Sequence, residues 1–314
     1  MTYDENSFLA GVSVGRTLKG WASAGSGGGS VITDSITPLL EGTIIEISSP
    51  AGKVVDYACY NRENLRSVTL PNAGAIGKSA FSGCTALETF VAPAVSSIGE
   101  SAFYVTSALG EVDFPKLTNL GGSAFASSGI RGFGAAKLLT VPSRAFDAST
   151  SLETVSIPAA TLVETYAFNG CTALKEAVLS GVKRLGTHCF DGCESLQQVD
   201  LKSMDEIPTG YRVGFIPSYA FQNCKTLGKV DVGKGVASLM TYAFFGCAAL
   251  ETLILRAEQV AELGTLALSG TGIAKGTGYV YVPETVKDGY KSNSKWATYA
   301  AQIRAIEDYP AICG

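Results

Sequence analysis

Apolar and polar positions alternate along this chain in a unit that returns about every 22 residues. A small residue followed by an aromatic or leucine anchor recurs at Phe81, Phe103, Phe125, Phe146, Phe168, Phe190, Phe221, Phe244 and Leu268, with separations of 22, 22, 21, 22, 22, 31, 23 and 24 residues. The repeat reads L-x-x-V-x-L-P, a variable stretch, I-G-x-x-A-F, then x-G-C. Leu65-Arg-Ser-Val68-Thr-Leu70-Pro71 opens one copy and Leu152-Glu-Thr-Val155-Ser-Ile157-Pro158 another. Alternation at V-x-L predicts a short strand with one face in a core, and the proline, which cannot donate to a ladder, ends it. Ile76, Ile98, Leu120, Leu185, Ile216, Leu239 and Leu263 add a second inward residue before the anchor. A coil this short cannot bury its own apolar face, so the pattern predicts a β-rich solenoid whose coils share one core.

The motifs Ile76-Gly-Lys-Ser-Ala-Phe81-Ser-Gly-Cys84-Thr-Ala-Leu87 and Tyr166-Ala-Phe168-Asn-Gly-Cys171-Thr-Ala-Leu174 resemble the BspA-type leucine-rich repeat, common in proteins of gut and oral bacteria. The resemblance covers roughly residues 43 to 282, and Tyr279-Val-Tyr-Val-Pro283, with Trp296 beyond it, looks like the segment that closes such arrays. It implies a right-handed leucine-rich-repeat array used for binding or adhesion, without catalytic residues. The expected organisation is an N-terminal segment over 1–24, a Gly/Ser-rich linker and cap over 25–42, the solenoid over 43–283, and a capping segment over 284–314.

Composition changes this picture little. Charged residues make up 17% and apolar residues 46%, as expected where interior ladders take much of the chain. A net charge of −4 with no basic cluster argues against a nucleic-acid partner, and no apolar run reaches the ~20 residues of a transmembrane helix.

Five of the eight cysteines (Cys84, Cys171, Cys193, Cys224 and Cys247) fall three residues after their anchor, where other copies hold Thr106, Ser128, Ser149 or Thr271. A slot shared by Cys, Ser and Thr asks for a small interior group with a weak hydrogen bond, which describes a buried free thiol. Neighbouring coils would also bring such thiols within bridging range, so disulfides stay open. His188-Cys189-x-x-x-Cys193 has the look of a metal site, but Cys189 fills the small slot before the anchor and Cys193 belongs to the ladder. His188 is the sole histidine. No nucleophile elbow, phosphate loop or metalloprotease motif is present. Gly25-Ser-Gly-Gly-Gly-Ser30 lacks a following Lys and reads as a linker. Neither an enzyme nor a cofactor is expected.

Three surface features are candidates for recognition. On the outward face of the main strands lie Thr69, Val91, Asp113, Gly134, Ser156, Val178, Asp200, Asp231 and Ile254; Asp200 and Asp231 are its candidate ligand contacts. Two residues before the anchors come Tyr57, Tyr166, His188, Tyr219 and Tyr242, sharing that phase with Ser79, Ser101 and Ser123. This row of rings either packs on itself or forms a strip for sugar or protein. The 31-residue repeat carries an insertion with Met204, Tyr211, Arg212 and Phe215, residue types enriched in interface cores, and insertions in solenoids map to rim loops.

The ends differ from the repeats. Residues 5–20 are expected as a short helix. Asp4 and Glu5 stand where a signal peptide would be basic, and the stretch loosely resembles N-terminal segments of phage-associated gut bacterial proteins. Trp296, Tyr299, Ala300 and Ile303 recur at helical spacing after Ser294, predicting a capped helix that closes the last coil. The expected function is non-enzymatic recognition of a protein or glycan at a bacterial surface, the alternative being a structural or receptor-binding part of a phage-like particle.

Overall fold

The computed structural model describes residues 12–13, 17–19, 31–32, 46–48, 51–205 and 214–314. They form a solenoid of short parallel strands that falls into two compact units, residues 1–138 with 145–152 and residues 139–144 with 153–314.

In the first unit the main sheet runs Val12–Ser13, Thr17–Lys19, Glu46–Ser48, Ser67–Thr69, Thr89–Val91. Its first pair is antiparallel and the rest parallel. Val112–Asp113 pairs with Gly132–Gly134 in the same sense. A second sheet joins Val31–Ile32, Lys53–Val54, Ala75–Ile76, Ser97–Ile98 and Asn119–Leu120. The register sets Val68 against Phe90, the same slot in successive repeats. A slip of one residue would turn these buried side chains to solvent.

The second unit repeats the plan. Thr154–Ser156 pairs with Glu176–Val178, and Gln198–Leu201, Lys229–Val232, Thr252–Leu255, Tyr279–Val282 and Ile303–Ala305 form one parallel sheet. Thr140–Val141, Leu162–Val163 and Arg184–Leu185 make one set of second-sheet strands. Gly214–Ile216, Val236–Leu239 and Glu262–Leu263 make another, with a register shift between Gly214 and Ile216.

The anchors stack as rings. Phe81, Phe103, Phe125 and Phe146 are face to face at 4.9–5.7 Å in the first unit, and Phe168, Phe190, Phe221 and Phe244 at 5.1–5.3 Å in the second. All are fully buried. The I-G slot of the repeat has a steric cause: a Cβ on Gly99 would come within 2.6 Å of the Lys78 backbone nitrogen, one coil earlier.

The third side of each coil is a turn with its own ladder between coils. Ser79 N donates to Glu100 O, Phe81 N to Ala102 O and Gly83 N to Tyr104 O at 2.8–2.9 Å, and the pattern recurs at Tyr219, Phe221 and Asn223. Residues two before and two after the anchor are left-handed, with φ of 49° at Ser79, 60° at Tyr166, 56° at Val105 and 76° at Gly83.

Both ends depart from expectation. Within 5–20, the described residues Val12–Ser13 and Thr17–Lys19 are strands rather than helix, and they extend the edge of the main sheet. Just after the Gly/Ser run, Val31–Ile32 joins the second sheet. At the other end the helix expected across Trp296–Ile303 is divided. After the short helix α1 (Gly272–Lys275) comes α2 (Glu284–Ser292), then a 3-10 turn Ala297–Gln302, and Ile303 begins the strand that pairs with Tyr279–Val282. Trp296, not Ser294, precedes the turn. The physical reason is the open edge of the preceding strand, whose backbone groups a strand satisfies and a helix cannot. Trp296 and Tyr290 are completely buried. Trp296 Nε1 donates to Ala261 O at 2.7 Å, and Tyr290 Oη accepts from Ala261 N at 2.9 Å, closing the end of the second sheet.

Candidate binding surfaces

The ring row is real in the second unit and belongs to the left-handed turn. Tyr166 lies on His188 at 4.6 Å and 11°, His188 on Tyr219 at 4.4 Å and 5°, and Tyr219 on Tyr242 at 5.1 Å and 6°. The Arg144 guanidinium sits 4.4 Å from the Tyr166 centroid at one end, and Phe245 meets Tyr242 edge-on at the other. All four rings are half-buried. Both open readings of the row therefore apply to different parts of each ring: the faces are used in stacking, and the edges remain for solvent or a ligand. A sugar that stacks on an aromatic face finds none free inside this row. In the first unit Tyr57 instead meets Tyr60 edge-on at 5.9 Å, and Ser79, Ser101 and Ser123 continue the slot without rings.

His188 Nδ1 is 3.0 Å from Asp191 Oδ2. Burial pushes the Asp191 carboxyl up from its ordinary range, and the histidine partly offsets this. Cys189 and Cys193 are buried and donate to backbone carbonyls of Ala220 and Phe168. The other ladder thiols do the same: Cys224 Sγ to Phe190 O at 3.1 Å and Cys247 Sγ to Phe221 O at 2.9 Å. All eight cysteines are free and buried, so the slot serves as the weak-donor position that Cys, Ser and Thr share. Burial raises the thiols, Cys84 to about 12 and Cys193 and Cys224 well above the ordinary value.

The insertion is only partly what its composition suggested. Met204 is 3% exposed, and its carbonyl accepts from Gly235 N at 3.0 Å. It is an interior residue, because the turn at 202–205 tucks against the next coil. Phe215 is half-buried in the strand Gly214–Ile216. Tyr211 and Arg212 lie outside the described residues.

On the outward strand face the two acids part company. Asp200 is exposed and accepts from Lys202 N at 2.9 Å. Asp231, expected as an open ligand contact, is 4% exposed. Arg256 grips it with two bonds of 2.7 and 2.8 Å, and Lys202 approaches to 3.4 Å. A carboxylate this far from water needs such partners. Arg256 was missed because it lies just beyond the repeat motif, two residues after Ile254.

Short parallel strands, a buried phenylalanine or leucine anchor in each coil and a thiol or hydroxyl in the third slot define a leucine-rich-repeat solenoid. The BspA type leucine-rich repeat region matches residues 41–140 and 203–277 in 6 copies, more than half of the chain, and the chain belongs to that family. It is a leucine-rich-repeat scaffold without an indicated catalytic family. Among solved structures it is similar to a leucine-rich repeat protein from Bacteroides ovatus, with 17% identity, 83% of this chain and 84% of that chain covered, and a TM-score of 0.51. A leucine-rich cell surface protein from Faecalibacterium prausnitzii gives 18% identity, coverage of 94% and 89%, and a TM-score of 0.45. The Treponema pallidum leucine-rich repeat protein gives 24%, coverage of 49% and 79%, and 0.42. No curated protein matches the chain. No helix among the described residues is long and apolar enough to cross a membrane.

Proposed function

We propose that this chain is a non-enzymatic recognition protein, displayed at a bacterial surface, and that it binds a host protein through the second unit. The family is typically surface-associated. The observation that carries the reading is the ring row: Tyr166, His188, Tyr219 and Tyr242 hold one another in place face to face, so their edges are already ordered before a ligand arrives. Pre-ordered rings lose little conformational freedom on binding, and Tyr is favoured in interface hot spots. Because the ring faces are occupied, a protein ligand meeting aromatic edges and hydroxyls is favoured over a stacked sugar. Tyr211 and Arg212 of the insertion are proposed as further ligand contacts on their residue types alone, with the half-buried Phe215, and Asp200 remains an accessible acid.

The test screens the full chain against arrayed extracellular host proteins and host glycans. For a protein that binds, Tyr219→Ala with Tyr242→Ala should weaken affinity at least about tenfold, roughly 1.4 kcal/mol, and Tyr211→Ala with Arg212→Ala should act in the same direction. Ser101→Ala with Ser123→Ala in the first unit is the matched control. Sensitivity to Thr89→Ala with Ser67→Ala, with indifferent rings, would move the site to the outward strand face.

A further inference from the structure

The outward face of the last coils is covered by the chain itself. Register aligns Asp200, Asp231, Ile254 and Tyr281 across four neighbouring strands, so all four point to the same side of the sheet. Over the last three lies the segment 306–314, while Asp200 stays exposed beside it. Ile254, Tyr281 and Cys313 form a buried cluster, with Ile306, Tyr309 and Ile312 packed against it. Three cations reach the segment's backbone: Lys229 Nζ donates to Ile312 O at 2.7 Å, Arg256 Nη2 to Cys313 O, and Lys202 Nζ to Gly314 O at 3.3 Å.

Two properties distinguish this contact from the seal made by Tyr290 and Trp296. Beyond Ile306 N, which donates to Val282 O at 2.9 Å, the backbone-to-backbone bonds of the segment are internal to it. Its other polar anchors are the three cations and the Glu307 carboxylate, which accepts from Glu284 N at 3.0 Å, and Glu307, Asp308, Pro310 and Ala311 are exposed. A segment that adds one backbone bond to the sheet opens at lower free energy than the strands beneath it. The face beneath is organised by its own bonds, the paired Arg256–Asp231 bridge above all, which do not involve the segment. When it lifts, three cationic donors stand beside an aliphatic and aromatic floor, against the two carboxylates Asp200 and Asp231.

We propose that this face is a peptide-binding site which the C-terminal segment occupies in cis. In cis the occupant is the helical turn Pro310–Cys313, whose last carbonyls meet the cations. In trans the face takes a like helical turn of a partner protein, with an aliphatic side chain on Ile254 and Tyr281 and its terminal carbonyls on Lys202, Lys229 and Arg256. Cation-to-carbonyl contacts read backbone rather than side chains, so the apolar pocket sets specificity. The cis segment lowers apparent affinity by the fraction of time that the face is closed. The site is separate from the ring row and stands whether or not that row binds anything.

The experiment uses the full chain and a fluorescein-labelled peptide with the sequence of residues 306–314. Ile312→Asp places a charge against the apolar floor and releases the segment, which faster modification of Cys313 by a thiol reagent reports. Fluorescence anisotropy should then show the peptide binding Ile312→Asp at least about tenfold more tightly than the unaltered chain, and Lys229→Ala in that background should remove the gain. Absence of saturable binding once Cys313 is reactive would overturn the proposal. If Cys313 stays protected, the same reading is taken on Ile312→Asp with Tyr309→Asp, and no binding there is equally fatal. A dimer of the unaltered chain that Ile312→Asp dissolves would assign the face to a second copy and overturn the partner-peptide assignment.

Discussion

One turn slot is filled in opposite ways by the two units. Two residues before the anchor the first unit places Tyr57 and then Ser79, Ser101 and Ser123, and the second places Arg144, Tyr166, His188, Tyr219 and Tyr242 and then Leu266, all with φ between 49° and 61°. The backbone is the same, and so is the hydrogen bond from this residue to the next coil, 3.0 Å at Ser101 and 3.1 Å at Tyr219. A left-handed conformation costs about 1–2 kcal/mol for a residue with a Cβ, whichever side chain it carries. Rings recover part of that by stacking, at about 0.5–1.5 kcal/mol per pair, whereas serines do not. The interiors are reversed. The first unit adds Phe90, Phe114 and Phe133 to its core, with Phe90 edge-on to Phe103 at 4.7 Å, and holds hydroxyls at Thr106, Ser128 and Ser149. The second holds six of the eight buried thiols, Cys171, Cys189, Cys193, Cys224, Cys247 and Cys313, and sets its extra rings half-buried at the surface. The coil fixes where the backbone goes and leaves the choice between stability and recognition to individual slots.

The largest effect that could break this comparison comes from the anchors. Phe103→Ala and Phe190→Ala should each cost about 3–5 kcal/mol in urea titrations. Phe103 should sit at the upper end, because it also loses its edge contact with Phe90. Equal costs would mean that the additional rings of the first unit contribute no more than aliphatic filler. Coils contact their neighbours, so protection against hydrogen exchange should fall first beside the altered anchor.

An alkaline shift should separate the units next. Burial raises Cys189, Cys193 and Cys224 in the second unit and Cys59 and Cys84 in the first. A thiol whose folded value is raised stays protonated in the fold while the unfolded chain ionises. Its stabilising contribution is complete below the ordinary thiol pKa of about 8.5 and is lost as pH rises from there toward the Cys84 value of about 12. Melting temperature should therefore hold to about pH 8 and then fall. The second unit, with more buried thiols, should lose exchange protection first. Protein prepared without reductant should show eight free thiols on denaturation, matching the eight free cysteines; recovered bridges would remove the basis of this pH dependence.

Much of the fold was legible because its period is carried by large residues. Phe81 through Leu268 set the coil length, and the Cys84–Thr106–Ser128 slot disclosed an interior polar ladder before any geometry was known. The left-handed turn was half legible. Gly83, Gly170 and Gly192 marked the slot after the anchor, but the slot before it holds Ser, Tyr, His and Arg, none of which signals positive φ. What failed did so where a distant segment decides the environment. Asp231 looked like an exposed acid from strand alternation alone, and nothing near it in sequence shows Arg256 beside it or residues 306–314 above it. Met204 looked like an interface anchor because its composition was read without the turn that turns it inward. Ile303 had helical spacing, yet an unpaired strand edge outweighed it.

The smallest predicted effect separates the ring row's structural role from any role in binding. Ser101→Gly removes the left-handed penalty of about 1–2 kcal/mol while raising unfolded-chain entropy by an opposing ~0.5–1 kcal/mol. The first unit should be unchanged or slightly more stable, by up to about 1 kcal/mol. Tyr219→Gly gains the same relief but loses stacking on His188 at 4.4 Å and on Tyr242 at 5.1 Å. Two pairs at about 0.5–1.5 kcal/mol each, with the apolar area of a half-buried ring, should outweigh the relief. The second unit should then be less stable by about 1–2 kcal/mol. Urea midpoints at constant slope measure both. If Tyr219→Gly is as harmless as Ser101→Gly, the rings do not hold the coils together, and their presence in this slot is left to recognition alone.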